Sequence, residues 1–117
     1  MTTQIEFFEG LKETTFPFVK LTKSKNKMTG TATFLFVYPS IFNNYSFHSE
    51  TLNGMFLVWE KKKIKTNDVT IFFRNGQPFL IKSIFIFKNS QEWFNFLNFM
   101  KFYSKETGLV FSENSSI

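Results

Sequence analysis

The sequence predicts an α+β fold: about five to six mainly antiparallel β-strands in layers, followed by one amphipathic C-terminal helix. Three observations carry that expectation. The first is Asn75-Gly76 set between alternating apolar runs, a strong hairpin signal because a type I′ turn needs φ > 0 at both central residues. The second is a series of segments rich in β-branched and aromatic residues, each ended by Gly, Pro or a charged turn. The third is a change of hydrophobic period from two to about 3.6 beyond Lys88.

In chain order, Ile5, Phe7 and Leu11 alternate with Glu6 and Glu9 as a half-exposed first strand ended by Gly10. Pro17 holds Phe16 in extended geometry, and Phe18-Val19-Lys20-Leu21-Thr22 reads as a second short strand. Residues 23–30 lack an apolar period and form a loop with three lysines. Thr31 to Tyr38, TATFLFVY, is a strand stopped by Pro39. Ser40 to Asn53 is polar and is expected as an irregular loop with one short helical turn. Gly54 to Glu60 forms another strand, with Lys61-Lys62-Lys63 as its turn.

The hairpin from Val69 to Phe87 pairs Arg74 with Gln77, and a regular ladder then pairs Phe73 with Pro78, Phe72 with Phe79, Ile71 with Leu80 and Val69 with Lys82. On its second strand Phe79, Ile81, Phe85 and Phe87 point one way, and Leu80, Ile84 and Ile86 the other. A strand apolar on both faces is expected to be central and covered on both. Pro78 has no N–H, so the start of that strand is expected to pair on one side only. Asn89 or Ser90 then caps a helix, with Glu92 in capping-box position. Trp93, Phe96, Leu97, Met100 and Tyr103 share its apolar face, and Gly108 ends it. These elements make one domain over residues 1–111, with 112–117 expected as a mobile tail.

Composition bounds the function. With 117 residues, 43% hydrophobic and 21% aromatic, the chain suits one core. No apolar run reaches the ~18 residues of a membrane-spanning helix. The N-terminus lacks the basic start and apolar run of a secretory signal and carries acids that transit peptides avoid, so the protein is expected to act where it is made. The absence of cysteine removes disulfides, thiolate zinc sites and cysteine nucleophiles. His48 is the only histidine and Asp68 the only aspartate, and Glu6, Glu9 and Glu13 are the only glutamates close together in sequence. No phosphate loop, dinucleotide fingerprint or nucleophile elbow is present. The residues point to a protein that is not an enzyme, with no catalytic, metal or cofactor-binding residues.

The net charge of +5 comes from thirteen Lys and one Arg, beside 19 Phe. An A/T-rich genome drifts toward Lys, Phe, Asn and Ile, so lysine-rich loops are first read as solvated surface. The alternative reading is a basic nucleic-acid or anionic-surface binding module built on Lys20, Lys23, Lys25 and Lys27 with Lys61, Lys62, Lys63 and Lys65. Nucleic acid is disfavoured, because the aromatics sit in apolar strand runs and the single Arg supplies few phosphate forks.

Several segments, in order, resemble the Psb28 family of photosystem II assembly factors. They are Ile5-Glu6-Phe7 with Gly10, Leu21-Thr22-Lys23-Ser24, Gly30-Thr31-Ala32-Thr33-Phe34, Gly54-Met55-Phe56-Leu57 and Phe73-Arg74-Asn75-Gly76-Gln77-Pro78. Glu92-Trp93, Phe96, Phe99-Met100, Tyr103, Gly108-Leu109 and Phe111 complete the set, so the likeness spans about residues 5–111. The resemblance implies an antiparallel sheet with a C-terminal helix, no cofactor and no catalysis. It also implies a peripheral, monomeric protein on the stromal side of the plastid thylakoid membrane. There it would bind reaction-centre and core antenna subunits of photosystem II in assembly intermediates, near the secondary quinone site, and assist the making of chlorophyll-binding subunits. Two departures stand out. The family's acidic turn is replaced by Trp59-Glu60-Lys61-Lys62-Lys63, and the outer helix face carries Phe94 and Phe102.

For such a binding module the expected mechanism is β-augmentation, in which a sheet edge accepts an extended partner segment through main-chain hydrogen bonds. The candidate edge is Thr31 to Phe36, with Thr31, Thr33, Phe34 and Phe36 as contacts and Lys20, Lys23, Lys25 and Lys27 as rim charges that speed encounter.

Overall fold

Alternation of apolar and polar residues sorts the chain into two sheets that share one interior. The computed structural model describes residues 3–25, 29–44, 47–48 and 51–109, together with the backbone of 112–115. In chain order the strands are β1 (Gln4–Phe8), β2 (Leu11–Lys12), β3 (Phe18–Lys23), β4 (Gly30–Val37), β5 (Met55–Trp59), β6 (Lys62–Thr66), β7 (Val69–Arg74) and β8 (Gln77–Phe87). A 3-10 turn, Ser40–Asn43, follows β4; the helix α1 spans Ser90–Thr107, and β9 spans Ser112–Ser115. One sheet has the order β2-β1-β5-β6 and the other β7-β8-β4-β3-β9. All pairings are antiparallel except β3 with β9. The fold is α+β, as the sequence predicts.

The interior draws on three layers. The first sheet contributes Ile5, Phe7, Met55, Leu57 and Trp59; the second contributes Leu21, Ala32, Phe34, Phe36, Ile81, Phe85 and Phe87. From α1 come Trp93, Phe96, Phe99, Met100 and Tyr103. Phe7 meets Phe36 edge-on at 5.0 Å between ring centroids, Phe34 meets Phe96 at 6.1 Å, and Trp59 meets Phe99 at 5.5 Å. Burial of each such ring contributes about 1.5–3 kcal/mol, and the edge-on pairs add to it. The Trp59 indole N–H also donates to Asn98 Oδ1 at 2.7 Å, pinning the helix to the first sheet.

Local chemistry sets the element ends. The Asn89 side chain accepts from the Glu92 N–H at 2.9 Å, satisfying an orphan donor of the first turn, while Glu92 reaches back to accept from the Lys88 N–H, just before the cap, at 2.8 Å. Gly108 ends α1 in the left-handed region at φ +76. Buried Glu13 anchors the 3-10 turn by accepting from the N–H groups of Ser40 and Ile41 and from the Ser40 hydroxyl.

Several expectations are corrected. The turn after β5 is Glu60-Lys61, both at positive φ (42 and 64), so Lys62 and Lys63 already lie in β6 opposite Trp59 and Val58. The long hairpin keeps Arg74 opposite Gln77 and Phe73 opposite Pro78, but Phe79 is then passed over and Phe72 pairs with Leu80. This bulge shifts the register by one, so that Ile71 lies opposite Ile81 and Val69 opposite Ser83. A one-residue slip flips a strand's faces; here it turns Val69 and Ile71 toward the core. Pro78 does pair on one side only, because β4 reaches no further than Val37 opposite Leu80. Phe99 joins the buried helix face, while Leu97 is only half-buried.

One further correction bears on function. The outer face of β8 is not covered by a second layer among the described residues, and Ile86 there is 65% exposed. The backbone of Ser112–Ser115 runs parallel to β3, with Lys20 opposite Ser112 and Lys23 opposite Ser115, and so covers an edge at which β3 would otherwise end the sheet.

Candidate docking edge

A protein that binds an extended segment needs an unpaired strand with backbone groups aimed outward and no side chains that repel a neighbour. β4 fails the first condition. It pairs with β3 from Gly30 to Leu35 and with β8 from Gly30 to Val37, so both of its edges are used. Phe34 and Phe36 are 0% exposed in the core. They are packing residues, because β4 alternates Ala32, Phe34 and Phe36 inward. Thr31 and Thr33 are half-buried on the outer face of an interior strand. The sequence could not separate an interior strand from an edge strand by composition alone.

The lysines divide as well. Lys20 is exposed on the outer face of β3, and Lys25 is exposed in the loop after it. Lys23 is half-buried with its ammonium 5.8 Å from the Trp93 ring centroid. Lys27 lies outside the described residues. The structure therefore does not assemble Lys20, Lys23 and Lys25 into one rim around β4.

The true outer strands differ in character. β6, KKIKT, closes the first sheet with Lys62, Lys63 and Lys65, a charged edge of the kind that discourages pairing. Its Lys63 ammonium pairs with Glu9, and that hydrogen bond with its charge holds the Glu9 carboxyl below its usual value. β9 lies outside β3. β7, VTIFFR, ends the other side of the second sheet and carries neither Lys nor Pro. The Ile84 N–H donates to the Asp68 carbonyl at 3.0 Å. In an antiparallel ladder that bond makes Val69–Ser83 a non-hydrogen-bonded pair, so the N–H and C=O of Ile71 point away from β8. Phe72 and Phe73 beside them are exposed, and the Arg74 guanidinium carbon stacks 4.3 Å from the Phe79 ring centroid, stiffening the hairpin tip.

The clefts offer less. One of about 280 Å³ lies between β6, β8 and the start of α1, lined by Ile64, Lys65, Phe85 and Glu92 among others. Another of about 300 Å³ is bordered by Thr3, Lys12, Glu13, Phe16, Tyr103 and Glu106. Its carboxylates already serve structure: Glu13 caps the 3-10 turn, and Glu106 accepts from the Thr3 N–H at 3.0 Å. Burial, with a smaller contribution from Glu13, pushes the Tyr103 hydroxyl well above its ordinary range. Among the described residues no group of three His, Asp or Glu side chains is placed to hold a metal ion, and no helix is long and apolar enough to cross a membrane.

The fold and its open edge define a small α+β module with a surface suited to strand pairing. The chain matches the family described as Psb28 protein over residues 5–111. It is 42% identical to "Photosystem II reaction center Psb28 protein" of Phaeodactylum tricornutum over 98% of this chain and 100% of the relative. It is 44% identical to the protein of that name from Rippkaea orientalis, over 94% of this chain and 95% of the relative. The Pyropia yezoensis protein of that name is 37% identical over 96% and 97%. The chain belongs to the Psb28 protein family.

Proposed function

We propose that this protein is a non-catalytic assembly factor of photosystem II. It binds reaction-centre and core antenna subunits transiently at the stromal face of the plastid thylakoid membrane, near the secondary quinone site, and assists biogenesis of the chlorophyll-binding subunits. The name the relatives share supports an association with photosystem II. The observation that carries the binding mode is the β7 edge, unpaired among the described residues, with Ile71 backbone groups aimed outward and apolar neighbours. An extended tail or loop of a core subunit would add a strand beside β7, gaining main-chain hydrogen bonds without a rearrangement of the sheet. The protein acts as a monomer and is peripheral to the membrane.

Affinity purification from the source organelle under mild detergent tests the reading. Recovery of core subunits lacking their mature partners is the expected result. Failure to recover any photosystem II subunit would overturn it.

A further inference from the structure

The outward positions of four adjacent strands form a surface that the β-augmentation reading leaves unused. Strand register arranges it in rows: Val37, Leu80 and Phe72; then Phe18, Leu35, Lys82 and Thr70; then Lys20, Thr33 and Ile84; then Thr22, Thr31 and Ile86. Phe18 is 70% exposed and Ile86 65%, with Val37 and Phe72 also exposed. The charges on these rows, Lys20 and Lys82, are cationic; the nearest carboxylate is Asp68, exposed just before β7 and opposite Ile84, and β3, β4, β7 and β8 themselves carry none. Soluble monomers rarely leave an apolar sheet face of this kind unpartnered.

We infer that this face docks on the headgroup region of an anionic lipid bilayer. The charge selects the occupant. A second copy of the chain laid face to face would bring Lys20 and Lys82 toward lysines of its partner, whereas an anionic bilayer offers both negative headgroups and an apolar boundary. Phe18, Ile86 and Phe72 enter that boundary, while the long stems of Lys20 and Lys82 lie along the apolar surface and keep their ammonium groups among the headgroups. Lying flat in this way, the sheet holds the β7 edge in the plane of the membrane surface, where the loops and tails of integral proteins emerge.

Vesicle flotation of the purified full-length protein tests the inference without photosystem II, so it can fail while co-purification succeeds, and the reverse. Phosphatidylglycerol–phosphatidylcholine vesicles should carry the protein and pure phosphatidylcholine should not. Lys20→Ser with Lys82→Ser should weaken binding roughly tenfold or more, and Phe18→Ser alone several-fold. Lys101→Ser with Lys105→Ser removes the same charge from α1, which packs on the opposite side of the sheet, and should leave binding unchanged. Each variant is accepted only with the circular dichroism and melting temperature of the parent. Absence of binding to anionic vesicles, or equal losses in the two lysine pairs, overturns the proposal. So does concentration-dependent dimerisation that Phe18→Ser abolishes, since the face would then be a contact between copies.

Discussion

Gly30 lies directly against the indole of Trp93: a Cβ built on Gly30 would stand 2.6 Å from Trp93 Cζ3 and 3.1 Å from the Thr22 carbonyl oxygen. The first residue of β4 and the first buried residue of α1 are thus in contact because one of them has no side chain. Gly30→Ala should cost about 1–3 kcal/mol in urea denaturation, since a rigid ring and a backbone oxygen both stand in the way. Trp93→Leu in the same chain should make the alanine less costly, and a double-mutant cycle showing no coupling would contradict the contact.

Glu13 is a carboxylate inside the protein whose oxygens hold the 3-10 turn through Ser40 and Ile41, and it also accepts from the Thr15 N–H at 2.9 Å. Glu13→Ala strands those donors in a buried place and should cost about 2–4 kcal/mol. Glu13→Gln keeps the shape but turns an amide NH₂ toward donors, and should lie between alanine and the parent. Equal stability of all three proteins would exclude the capping role.

Phe34→Ala should destabilise by about 3–5 kcal/mol, the usual cost of deleting a fully buried ring. Thr33→Ser, one residue away but on the outer face, should change stability by less than about 1 kcal/mol. Both are read from chemical denaturation midpoints. The contrast separates packing residues of β4 from its outward ones.

Tyr103 gives an alkaline signature. Its hydroxyl is held protonated above the ordinary value of 10.0, chiefly because burial disfavours the charged form. Below that pH folded and unfolded chains both keep the proton and nothing is lost; above it the unfolded chain ionises first. Stability should then fall by at most about 1.4 kcal/mol per pH unit until the folded group also titrates. Tyr103→Phe should make the alkaline limb shallower, as measured by denaturant melts on either side of pH 10.0. An unchanged limb would show that Tyr103 ionises freely in the fold.

Hydrogen exchange tests the docking edge directly. In the free protein the Ile71 amide, aimed outward from β7, should exchange fast, whereas the amides of β4, paired on both sides, should be protected. Binding of a partner segment should protect Ile71 and leave β4 unchanged. Protection of no β7 amide in the complex would remove β-augmentation at this edge.

What the sequence by itself determined is local and periodic. Asn75-Gly76 set the hairpin turn because few other dipeptides reach positive φ twice; both residues have it, at 52 and 79. Asn89, Glu92 and Gly108 set the helix ends, and the alternation in Ile81, Phe85 and Phe87 marked the buried face of β8. The resemblance in residues 5–111 was legible for a similar reason, as short motifs in fixed order. Tertiary structure alone decided which strands became edges. Thr31 to Phe36 and Val69 to Arg74 are both runs of β-branched and aromatic residues, and only pairing with β3 and β8 buries the first while leaving the second open. The bulge at Phe79 was likewise hidden, because a one-residue slip is set by which faces meet the helix and the opposite sheet. The apolar outer face, read as one to be covered, is left open by the described residues because the helix and the other sheet pack on the same side.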